Sequence, residues 1–115
     1  MQRLLIILAG LFGAAGVASA AYASHGGYAD LAIGANFLLI HAPALIALTL
    51  LPPGRLAAIN AGLLVIGVVL FAGDLASRDL LGHSLFPMAA PIGGMGMILG
   101  WVLVALRGAL IRKRR

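Results

Sequence analysis

The sequence contains no cysteine, and of its 115 residues only 10% are charged and 6% aromatic, with a single tryptophan. Without cysteine there is no thiol chemistry and no haem attachment of the C-x-x-C-H kind, although the absence says little about compartment. Catalytic signatures are missing as well. Ser19, Ser24, Ser77 and Ser84 lie outside any G-x-S-x-G setting. The glycines are scattered at packing intervals, not gathered into a phosphate-binding loop. Three histidines and three aspartates offer no close ligand pair such as H-x-x-x-H. No catalytic residue, metal ligand or cofactor is assigned, and the chain is not expected to be an enzyme.

What is abundant is apolar residues, 63% of the chain. A helix needs roughly 20 mainly apolar residues to cross a hydrocarbon core. Four such segments are present, about 4–22, 31–51, 56–77 and 87–106. Helices are required because lipid gives the backbone no hydrogen-bond partners, and the alternating polarity of barrel strands is absent. The expected fold is an all-α membrane protein, a compact four-transmembrane-helix bundle forming one domain over residues 1–115.

The breaks between segments carry the charge. Pro52-Pro53-Gly54-Arg55 reads as a tight turn between spans two and three. Ser24 to Gly27 separates spans one and two, and Ser77 to Ser84 separates spans three and four. Four spans place both termini on one side, together with Arg3, Arg55, Arg107, Arg112, Lys113, Arg114 and Arg115. Arg78 alone faces the other side, with Asp30 and Asp79. The positive-inside rule therefore predicts cytoplasmic termini. The Arg-Lys-Arg-Arg tail reads as a topology anchor with nothing specific bound, contact with anionic membrane lipids being the alternative; no folded basic face suggests nucleic acid.

Met1 to Ala20 has the outline of a secretory signal, ending in Ala18-Ser19-Ala20. The same stretch carries Gly10, Gly13 and Gly16, small residues that let a neighbouring helix approach, and it is read as a first transmembrane helix. Gly96 and Gly100 form a GxxxG pattern in span four, suited to packing within the bundle or to a homo-oligomer. Pro91 followed by Gly93-Gly94 is read as a kink, with a ligand-facing opening of the backbone as the alternative.

His41 is the most informative polar residue. It lies about 16 Å along its helix from Asp30, near the bilayer midplane, where ionisable groups face a bundle interior or a cavity. It is either a proton-handling or ligand-binding imidazole, or a neutral one bonded to Asn60 or Thr49 on another helix. Pro43 nearby predicts a local helix distortion. Asp74 precedes Arg78 by four residues, the favourable order for a helical ion pair, with a polar pocket near Gly73 as the alternative.

These residues carry a resemblance. Ala20-Ala21-Tyr22-Ala23-Ser24-His25, Phe37 with His41, Leu70-Phe71-Ala72-Gly73, and Pro91-Ile92-Gly93-Gly94 with Gly100-Trp101 are similar to the motifs of a small bacterial membrane family, domain of unknown function 423, related to transmembrane protein 256. The resemblance spans nearly the whole chain. It implies a compact four-helix inner-membrane protein and no particular activity, and it marks His25, His41, Pro91, Gly93 and Gly94 as motif positions of one shared site. Asp74 departs from the family, which carries serine there.

Two functions are weighed. One is an accessory or scaffold subunit of a larger membrane complex of the respiratory kind, with a quinone or lipid near His41. The other is an oligomeric transporter or channel for protons or a small solute, with His41 and Asp74 on its path.

Overall fold

The computed structural model describes residues 1–112; Lys113, Arg114 and Arg115, the end of the basic tail, lie outside the described residues. Four helices follow one another: α1 (Gln2–Gly26), α2 (Ala29–Leu48), α3 (Arg55–Leu80) and α4 (Ala89–Leu110). All four are long and apolar enough to cross a membrane, with mean hydropathies from 1.9 to 2.3. The chain is a multi-pass, all-helical membrane protein. Each helix packs on the next, α1 on α2, α2 on α3 and α3 on α4.

The buried positions follow helical periodicity. On α1 they are Leu5, Ala9, Phe12, Gly16 and Ala23, one face of the helix. Around Leu45, Leu64 and Val68, all fully buried, α2 and α3 form the centre of the core. The outward faces are apolar too. Leu11, Val17, Ile40, Ile66 and Val102 are each more than half exposed, a pattern that water disfavours and lipid accepts.

The helices outrun the apolar segments at several ends. α1 continues through Ser24 and His25 and stops only where Gly27 turns left-handed at φ 73°, leaving Gly27-Tyr28 as the connection. Ser77 to Leu80 likewise belong to α3. At the other end of α2, helix gives way after Leu48 to successive tight turns at Thr49, Leu50 and Leu51, ahead of Pro52-Pro53. α2 runs through Pro43 without interruption.

Pro91 corrects the sequence reading most clearly. It occupies the third residue of α4, after Met88 turns left-handed at φ 72°, so it makes no mid-helix kink. In the first turn its missing N–H is one that no helical carbonyl would accept.

Glycine packing is concentrated on α3 and α4. A Cβ on Gly93 would lie 2.6 Å from Gly67 O and from Phe71 N, so only hydrogen lets the two backbones approach this closely. Gly100 abuts Leu64 and Gly96 rests on Gly67, as the GxxxG reading expects of packing within the bundle. Gly16 seats Leu39 of α2, and Gly13 makes ordinary contact with Ala42. Gly10 is a correction: it is exposed, and a Cβ there would meet nothing within 4 Å.

Candidate functional site

The expected site residues separate into three places. His25 is exposed at the end of α1 and donates from Nδ1 to Ala21 O at 2.8 Å, within its own helix. It does not join His41. Asp74 is fully buried near the end of α3, and His41 lies inside α2 facing α4.

Asp74 is a cap supplied in trans. Its Oδ1 accepts the Leu85 N–H at 2.9 Å and its Oδ2 accepts the Ala90 N–H at 3.2 Å. Ala90 belongs to the first turn of α4, whose N-cap residue, Met88, has no side chain able to do this work. The carboxylate thus satisfies an orphan donor and meets the positive end of the α4 dipole. Arg78 completes the arrangement at 2.9 Å, the i,i+4 pair read from the sequence. Asp79 repeats the device, its Oδ2 accepting Leu31 N–H at 2.8 Å in the first turn of α2. The last two turns of α3 therefore fix the starts of both neighbouring helices, and Ser77, by donating to His83 O at 2.6 Å, fixes the loop between α3 and α4.

His41 has a different partner from the two expected. Neither Asn60 nor Thr49 reaches it. Trp101 does, donating from indole Nε1 to His41 Nε2 at 3.0 Å, while His41 Nδ1 donates to Phe37 O at 2.7 Å. The tautomer follows from chemistry. A carbonyl only accepts and an indole N–H only donates, so the proton sits on Nδ1 and Nε2 is the acceptor. Both ring nitrogens are thus hydrogen-bonded within the protein. The signal for this partner was legible in type: a lone indole in a span needs an acceptor for its N–H. The pairing across 60 residues was not.

This pair closes one side of a cavity of about 680 Å³ between α2, α3 and α4. Phe37, Phe71, Met97, Trp101 and Gly94 line it, so the interior is aromatic and apolar with one polar spot. Phe37 and Phe71 meet at 4.6 Å between ring centroids and 53°, a tilted aromatic contact. Gly94 leaves its part of the wall open, since a Cβ there would meet nothing within 4 Å. Of the motif residues expected to share a site, the structure brings His41 and Gly94 together here; Gly93 is occupied with packing on Gly67, and Pro91 with starting α4.

Two functional candidates escaped the sequence reading. Asn60, instead of serving His41, donates from Nδ2 to Gly100 O at 2.8 Å and accepts from Arg107 Nη1 at 2.9 Å. Arg107, expected to be a plain topology charge, is only 7% exposed and also donates to Pro52 O at 3.0 Å. Its spacing from Gly93, Met97 and Gly100 puts it on the inward face of α4, which is the signal that could have found it. Among the described residues no group of three or more histidine or acidic side chains is placed to hold a metal ion.

No solved structure matches the chain. The sequence model of the family described as protein of unknown function (DUF423) matches residues 9–94, which takes in most of α1, all of α2 and α3 and the start of α4, including His41, Asp74 and Gly94. The chain belongs to this family.

Proposed function

We propose that this chain is a non-enzymatic accessory or scaffold subunit of a larger membrane complex, and that the cavity beside His41 and Trp101 receives a quinone or a lipid. The observation that carries the reading is the saturated imidazole at the wall of an apolar, aromatic-lined cavity. A proton path needs a group that can take up and release a proton towards a neighbour. His41 has both nitrogens engaged, and Asp74 accepts from two backbone N–H groups and Arg78. Such groups hold helices together. An aromatic cavity with a single polar contact suits a flat ring or an acyl chain, and a respiratory assembly is the setting in which a membrane quinone is met. The arginines at the end shared by the termini favour a cytoplasmic location for both, in a bacterial inner membrane.

The test is gentle extraction into lipid nanodiscs followed by mass spectrometry of co-purifying proteins, quinones and lipids. A stoichiometric larger partner is expected, with a quinone or lipid retained by wild type and lost in Gly94→Leu, which fills the cavity where there is room. A homo-oligomer without a partner, conducting protons in a manner abolished by His41→Gln, would replace this reading with transport.

A further inference from the structure

The end of the molecule that carries the termini holds a second cavity, about 480 Å³, bounded by the turn before α3 and the last turn of α4. It gathers Arg55, Arg107 and Arg112, and among the described residues no carboxylate lines it. Arg107 is nine-tenths buried, yet its two hydrogen-bond partners, Asn60 Oδ1 and Pro52 O, are neutral. The ion pair between Asp74 and Arg78 is at the opposite end of α3, so no counter-ion among the described residues balances Arg107. A buried guanidinium without an opposite charge is costly to keep, and its planar fork matches the oxygens of a phosphate.

A second feature adds to the cationic cluster. The N-cap residue of α3 is Gly54, which makes no side-chain cap, and the N–H groups of Arg55, Leu56 and Ala57 find no acceptor among the described residues. All three residues line the cavity. The N-terminus of a 26-residue helix therefore opens onto a space that three arginines line. The last carbonyls of α4 border it with opposite sign, but Arg107 and Arg112 sit on or just past that same turn and offset them.

We propose that this cavity is a binding site for a phosphate group, held by Arg55, Arg107 and Arg112 and by the first-turn N–H groups of α3. The site lies where the spans end, at the depth of lipid headgroups. The phosphodiester of an anionic phospholipid and a soluble phosphate offer it the same chemistry.

Native mass spectrometry of the full chain, given equal amounts of phosphatidylglycerol and phosphatidylcholine, tests the proposal. Wild type retains phosphatidylglycerol by about tenfold over phosphatidylcholine. In R55Q/R112Q, which alters two exposed residues and leaves the packing alone, the preference falls close to parity. R107K keeps the charge, loses the fork and retains part of the preference. Neutralising Lys113, Arg114 and Arg115 leaves the preference in place; its loss there would assign the binding to the tail and overturn the site. If wild type shows no lipid preference but inorganic phosphate raises its thermal stability, and R55Q/R112Q abolishes that effect, the ligand is soluble phosphate. A preference that survives R55Q/R112Q, or no response to lipid or phosphate, overturns the proposal.

Discussion

The two ends of α3 treat helix termini in opposite ways. At its C-terminal end, Asp74 and Asp79 reach across to the first turns of α4 and α2, and each satisfies a backbone donor that its own helix leaves unpaired. At its N-terminal end, α3 starts from a glycine without a side-chain cap, and three arginines gather round the opening. The acidic end is closed by the protein's own groups. The basic end has donors and positive charge in excess. The difference shows how so few charged residues are divided: two of the three carboxylates hold the fold together, and the buried charge at the other end is left for something outside it.

Breaking the closed end has the largest expected effect. Asp74→Ala strands the N–H groups of Ala90, which is buried, and of Leu85, which is only part-buried; a buried unpaired donor costs about 1–3 kcal/mol and a part-buried one less, so the loss is about 2–5 kcal/mol. Thermal unfolding in neutral detergent reads it as a large fall in midpoint. The seam that joins the two ends comes next. Gly93→Ala pushes a methyl into the α3 backbone and costs about 1–3 kcal/mol, whereas Gly10→Ala, inside α1 with open space around it, does not lower the midpoint and raises it slightly. Asp79→Ala removes one cap and costs about 1 kcal/mol, with faster hydrogen exchange confined to the start of α2. Arg78→Gln is the smallest. Its side chain is 41% exposed, so its pairing with Asp74 is screened by solvent and contributes less than about 1 kcal/mol. Equal effects from Asp74→Ala and Arg78→Gln would mean that the ion pair, and not the capping of α4, is what Asp74 supplies.

Much of the fold was legible in the sequence because its signals are local. Four apolar runs give four helices, Asp74 and Arg78 pair one turn apart, and Gly96 and Gly100 mark a close helix contact. Helix ends were less legible. Ser24, His25 and Ser77 to Leu80 look like loop by polarity, yet their backbone bonds continue the helix until a left-handed glycine or a change of direction stops it. The site was legible only in its ingredients. His41 near the midplane was evident, but Trp101 lies 60 residues away and Asn60 is claimed by Arg107 across 47. Such pairings depend on which faces of α2, α3 and α4 turn together, and each span is apolar nearly all round, so periodicity says little about its rotation. Arg107 illustrates the cost of counting charge without asking which way it faces.

The central claim is that the polar groups within the spans are spent on holding helices together, and His41 states it most sharply. Solid-state nitrogen NMR of the histidine ring in lipid bilayers measures it directly. The account predicts a neutral ring protonated at Nδ1, with Nε2 accepting a hydrogen bond that disappears in Trp101→Phe. A ring protonated at Nε2, or one whose nitrogens are indifferent to the loss of the indole, would contradict it.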